Sequence, residues 1–222
     1  MKPLRSLSLA ASLTAAAALL LSGCGGGDHD SGNGKIKGAS EKPSTAAPSA
    51  SASKGPKIDR PRMAFPADVK LVFAPAQVGP GQEAPLNDAE NYLRSIEYGI
   101  VKQDPKDPAH TFYSEFEGTA LKYARDQIQG HVDAGVTVTG ERDYYNAAVK
   151  LSDSKSTAFV SMCSDGSKYF SKEVKSGKVH RTQKSVKDFY LWQIQMAPSE
   201  KTKGLWRAKE VQVTGEAKQC VR

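Results

Sequence analysis

Gly135 divides the chain into two textures. Before it, apolar residues recur every three or four positions: Ala89, Leu93, Ile96 and Ile100 in one stretch, Leu121, Ala124, Ile128 and Val132 in another. That spacing places them on one face of a helix. After it the period drops to two. Tyr190, Trp192, Ile194 and Met196 alternate with Leu191, Gln193 and Gln195, which suits a half-buried strand. Two or three helices followed by an antiparallel sheet predict an α+β domain.

Local signals set the boundaries. Asn87 can cap the first helix, with Glu90 three residues on as its capping-box partner, and Asp104-Pro105 should end it. Met63 to Pro85 reads as an extended approach, because prolines at 66, 75, 80 and 85 argue against helix. Val69, Leu71, Val72 and Phe73 could lie against the domain there. DPKDPAHTFYSEF reads as a tight connection into a short helix, and Thr119 to about Ala134 as a second strong helix closed by Gly135. The strands expected after it are VTVTG through YYNAAVKL, STAFVSMCS, KYFSKEV, VHRT, KDFYLWQIQM and LWRAKEVQVT. Asp165-Gly166 and Ser176-Gly177 would be turns between them.

The first 62 residues fit no such scheme. Lys2 and Arg5 precede an apolar run from Leu7 to Leu21, shorter than the roughly 20 residues a permanent membrane helix needs. Residues 1–23 therefore read as a secretory signal. Residues 24–62 are dominated by Gly, Ser, Ala, Pro and Lys, with no aromatic residue. Such a segment buries too little to offset its ordering entropy, so a polar, disordered tether is expected. Residues 63–222 remain as a single α+β domain of ordinary size.

LSGC at 21–24 resembles the bacterial lipobox. That resemblance implies that Cys24 receives a diacylglyceryl group and becomes the first residue of the mature chain; the alternative is an ordinary signal with a chance cysteine. Two acyl chains give stable attachment, so the domain would sit on the outer face of the cytoplasmic membrane, its partner there the membrane lipid. Cys163 and Cys220 are then an even pair in an oxidising compartment, and a disulfide between them is expected. Two buried thiols are the alternative; no CxxC pair or histidine cluster supports zinc. The formal net charge of +7 falls to +5 once Lys2 and Arg5 leave. Outside a membrane, such an excess would meet lipid headgroups or wall polymers rather than nucleic acid.

The helix-then-sheet order is similar to the nuclear transport factor 2-like fold, the cone-shaped architecture of ketosteroid isomerases and polyketide cyclases. That resemblance implies N-terminal helices packed on a strongly curved antiparallel sheet around a pocket. DPKDPAHTFYSE at 104–115, RDYYNAAV at 142–149, SMCSD at 161–165 and EAKQC at 216–220, with the lipobox, also resemble a set of uncharacterised actinobacterial lipoproteins. The likeness spans about Asp68 to Arg222 and carries no chemistry with it.

An enzyme of this fold would need an acid or base inside the cone. His131, near the end of the second strong helix, is the candidate base, although a surface imidazole favoured by the helix C-terminus is the plainer reading. His110 and His180 read as solvated. Tyr144, Tyr145 and Trp192 could line a pocket or simply pack the core, and consecutive Tyr144 and Tyr145 must point to opposite faces. Asp143, with Glu141, stands near Gly140, where a bulge could re-aim a side chain. No GxSxG, HExxH or phosphate-cradling loop is present. No catalytic residue, metal or cofactor is therefore assigned. The reading is an envelope lipoprotein that binds a small apolar ligand or a protein partner. An isomerase- or cyclase-like enzyme using His131 or Asp143 with a pocket tyrosine is the alternative.

Overall fold

The computed structural model describes residues 57–222. The expected signal, Cys24 and the tether up to residue 56 lie outside the described residues. A short strand, β1 (Val69–Phe73), leads into α1 (Glu83–Lys102), α2 (Pro108–Tyr113) and α3 (Thr119–Asp133). Five further strands follow: β2 (Val136–Leu151), β3 (Ala158–Glu173), β4 (Val179–His180), β5 (Phe189–Pro198) and β6 (Trp206–Gly215). The helices pack across one face of a curved sheet, so the architecture is α+β.

Helix α1 starts four residues before the expected Asn87 cap. Pro85 falls in its first turn, where the missing N–H would have had no partner within the helix. Gln82 begins the turn instead, its carbonyl accepting from the Leu86 N–H at 3.2 Å. Asp107 caps α2 by accepting from the Ala109 N–H at 2.9 Å. Gly135, at φ 65°, closes α3. Leu86, Ala89, Leu93, Ile96 and Ile100 of α1 meet Ala120, Ala124 and Ile128 of α3 over the inner side chains of the sheet.

The strand order is β1-β2-β3-β5-β6, with β4 pairing only β3. Most pairs are antiparallel, but β1 lies parallel to β2, so the sheet is mixed. The three helices form the crossover that a parallel pair requires. An extended approach in the sequence has thus become an edge strand. The Asp165-Gly166 turn does not form. Strand β3 runs through it, with Asp165 opposite Asp143 on one side and Phe189 on the other. The hairpin turns instead at Gly177, at φ 71°.

Gly140 shows why β2 bends where it does. At φ 103° it occupies a region closed to most side chains, and a Cβ there would stand 2.0 Å from the Lys168 carbonyl oxygen. Register shifts follow between Glu141 and Asp143 and between Tyr145 and Ala148. Such bulges bend a strand and strengthen its twist.

The domain takes up chain before residue 63. Ile58, Met63 and Phe65 pack on the core, and Arg60 pairs with Asp88 of α1, whose side chain is 0% exposed. Asp88 also accepts from the Trp206 N–H at 2.8 Å. The last residues of the expected tether are therefore part of the fold, because Arg60 supplies the charge that buried Asp88 needs. Burial raises the Asp88 carboxyl, against the opposing bonds from Arg60 and Trp206. A raised carboxyl contributes stability that is complete below its unfolded value and lost as pH rises through the folded one. Replacing Arg60 by Ala removes the main opposing bond. It should cost about 2 kcal/mol at pH 7, and the deficit should be smaller at pH 4, because the raised carboxyl takes up its proton as pH falls. Urea midpoints of both chains at the two pH values measure this; a deficit that stays constant or grows at pH 4 contradicts the pairing.

Candidate functional site

Beneath α1 and α3, against the inner face of the sheet, is a cavity of about 250 Å³. Its apolar wall is Ile96 and Ile100 of α1, Val138 of β2 and Val213 of β6. Helix α3 contributes Tyr123, Gln127 and His131, three side chains at a spacing of four that share one face. Tyr190 and Trp192 of β5 complete the aromatic side. Trp192 is fixed by its indole N–H, which donates to Ser164 Oγ at 2.9 Å, and by edge contact with Tyr123 at 6.1 Å.

Two charged residues also line the cavity, Glu97 of α1 and Arg142 of β2. They form an ion pair in which the Glu97 side chain is 6% and that of Arg142 21% exposed. The second carboxylate oxygen accepts from the Tyr169 hydroxyl at 2.9 Å. The Arg142 guanidinium lies over the Tyr169 ring, 4.3 Å from its centroid. Burial pulls this guanidinium down, but Glu97, Tyr144 and Tyr169 outweigh it and hold it charged. The tyrosines move the other way. Burial and Glu97 push Tyr123 up to about 12 and raise Tyr169 still further. Each hydroxyl therefore stays protonated at neutral pH and can only donate or accept a hydrogen bond. Among the described residues Arg142 Nε has no partner.

The five pocket candidates separate. His131 and Trp192 line the cavity. Tyr144 is buried behind it, stacked on Phe73 at 4.3 Å with near-parallel rings, and burial raises its hydroxyl. Asp143 and Tyr145 point to the opposite face of the sheet, as alternation demands once Tyr144 turns inward. There the chain end folds over a second, smaller cluster of Tyr145, Cys163, Phe189, Ala217 and Cys220. Cys163 and Cys220 are joined by the expected disulfide, with Cα atoms 5.4 Å apart. The Tyr145 hydroxyl donates to the Cys220 carbonyl, Arg222 lies over the Tyr145 ring, and Arg222 pairs with Asp143 and Asp165. These two residues hold the C-terminal latch and have no access to the cavity.

Two histidine readings also separate. His180 is exposed and bonded to Glu173 at 2.8 Å. His110, expected in solvent, is 1% exposed because the turn that Asp107 caps winds it into the fold. Burial and nearby Arg125 lower its pKa. It does not line the cavity. His131 holds the Gln127 carbonyl through Nδ1 at 2.8 Å. A carbonyl can only accept, so Nδ1 is the donor in this contact, and the ring atom left over is Nε2.

Glu97 and Arg142 are not among the residues singled out from the sequence, which points to Asp143 with Glu141 at 141–143. The signal that finds Arg142 is parity. Val138, Gly140, Arg142 and Tyr144 share one face of β2, so an inward tyrosine carries the arginine inward too.

No protein-family model matches the chain, and no curated protein matches it. Among solved structures, it is similar to a ketosteroid isomerase-like protein from Erwinia carotovora atroseptica, at 14% identity and a TM-score of 0.41, covering 62% of this chain and 98% of that one. A ketosteroid isomerase-type protein from Shewanella frigidimarina gives 10% identity and a TM-score of 0.34 over 60% of this chain and 98% of that one. The intermembrane-space region of the chloroplast protein ARC6 gives 12% and 0.39 over 64% and 99%. Likenesses this distant add nothing about chemistry. The fold itself rests on the helices, the strand order and the curvature of the sheet.

Proposed function

We propose that this chain is a lipid-anchored module of the bacterial cell envelope whose domain binds a small, mainly apolar ligand beneath α1 and α3 without turning it over. One observation carries the binding reading: Glu97, the one carboxylate among the described residues that line the cavity, is spent on Arg142 and Tyr169. Both Glu97 oxygens are thus engaged before a guest arrives, while aliphatic and aromatic side chains make up most of the wall. The neutral, fluorescent apolar probe N-phenyl-1-naphthylamine should bind saturably. Val213→Trp, which fills the cavity, should weaken that binding at least tenfold. Unchanged binding by a folded Val213→Trp chain would sink the reading.

The anchor is supported by LSGC standing directly after the apolar run. In a bacterial host the chain should incorporate labelled palmitate and sediment with membranes. Cys24→Ser should abolish the label; a label that survives places the lipid elsewhere.

His131 favours a second reading. Its ring lines the cavity with Nδ1 held by the Gln127 carbonyl, which leaves Nε2 as the ring atom a general base would use. In an isomerase-like enzyme His131→Gln would abolish turnover and spare probe binding, whereas a binding module would show no turnover to lose.

A further inference from the structure

The overall positive excess is modest, but it is unevenly placed. Residues 168–187 hold six lysines and Arg181 against a single acid, Glu173. This stretch is the far end of β3, the Gly177 turn, β4 and the strand-free return to β5. It projects as an arm: residues 174–178 and 180–185 are exposed. Two of its lysines are spent, Lys172 on Asp68 at 2.9 Å and Lys184 near Asp165 at 3.9 Å. His180 is spent on Glu173. Lys168, Lys175, Lys178, Arg181 and Lys187 have no ion pair among the described residues.

The same arm carries apolar surface. Val174 at the turn is 49% exposed between Lys172 and Lys175. Beside it, a concavity of about 570 Å³ is formed by Phe170 and Gly140 with Lys70, Lys168 and Arg181. The Arg181 guanidinium rests on the Phe170 ring, 5.2 Å from its centroid. Two acids also face this hollow, Asp68, already held by Lys172 and Thr139, and Glu141, opposite Lys168. Cations therefore outnumber acids around a small apolar floor. That is the chemistry of a membrane interface, where each basic side chain near an anionic surface adds attraction and apolar tips enter the headgroup layer.

We propose that this arm is the surface on which the domain rests against an anionic lipid bilayer. The proposal does not depend on acylation of Cys24, although it complements it: one anchor and one basic patch make a two-signal attachment. The geometry permits both together. The 32 residues between Cys24 and Lys57 let the chain reach at most about 120 Å, ample for the arm to turn toward the membrane.

The test uses the chain from Gly25 onward, without signal or acyl cysteine, which keeps every residue of the described core. Sedimentation with vesicles of phosphatidylcholine alone and with added phosphatidylglycerol gives the partition coefficients. Binding to the anionic vesicles should exceed binding to the neutral ones at least tenfold and fall away in half-molar salt. Lys175→Glu, Lys178→Glu and Arg181→Glu together should cut it by about tenfold or more, with an unchanged unfolding midpoint. Reversal of Lys201, Lys203 and Lys209, around the β5–β6 connection at the other end of the sheet, alters net charge equally and should change binding less than twofold. Equal binding to both vesicle types, or equal loss in the two triple variants, overturns the proposal. So does soluble polyphosphate that strips the chain from vesicles at matched phosphate, which would assign the arm to an anionic wall polymer.

Discussion

A chain carrying Cys163→Ala and Cys220→Ala is expected to be about 4 kcal/mol less stable than the disulfide-bonded form, because the bridge closes a loop of 57 residues. That is a large part of the margin of an ordinary domain. The loss should be local in its structural signature. The bridge pins the last residues over Tyr145 and Phe189 on the face opposite the cavity, so hydrogen exchange should rise first at Ala217 to Cys220. Acid should loosen the same latch. Burial raises the Asp165 carboxyl, but the Ser167 bonds, Lys184 and Arg222 outweigh it and leave it lowered. Its contribution is present above the ordinary carboxylate value and is lost as pH falls through the depressed one. If the double variant unfolds within about 1 kcal/mol of the native chain, the bridge is ornamental and the packing of the tail suffices.

Replacing Arg142 by Leu should cost about 3–5 kcal/mol, since it leaves the Glu97 carboxylate buried without its cation. Removing the whole network is the informative comparison. Glu97→Leu, Arg142→Leu and Tyr169→Phe together leave no orphaned charge and no hydroxyl deprived of its acceptor. That triple variant should recover most of the stability, because a buried ion pair and an apolar replacement of similar size differ little. Chemical denaturation of the three chains measures both effects. A single variant as stable as the native chain would mean that Glu97 and Arg142 are solvated and that the cavity is open to water on their side.

Much of this fold could be read from periodicity. The four-residue spacing in α1 and α3, and the alternation in β5, each report one buried face, and that information is local. The signals that misled were also local, and long-range contacts overrode them. Asp165-Gly166 has turn chemistry, yet β2 and β5 flank it on both sides and hold it extended. Pro85 has helix-breaking chemistry, but only beyond a first turn. Arg60 lies in a stretch whose composition favours disorder, and nothing nearby announces that Asp88, 28 residues on, will be buried beside it. The site was legible only in part for the same reason. His131 and Trp192 reach the cavity from elements whose faces the pattern fixes. Asp143 and Tyr145 were lost to it through parity, which left Arg142 and Tyr144 as the inward pair.

The measurement that bears most directly on the binding account is methyl and indole chemical-shift mapping of the isotope-labelled chain, titrated with N-phenyl-1-naphthylamine. Ile96, Ile100, Val138, Val213 and the Trp192 indole surround the cavity, and their signals should move together along one saturation curve. Residues of the open groove across the sheet, Phe159, Gln193 and Gln212, should stay still. Shifts confined to that outer groove, or none at all with the cavity signals sharp and unperturbed, would contradict the account and place the protein's work on its surface.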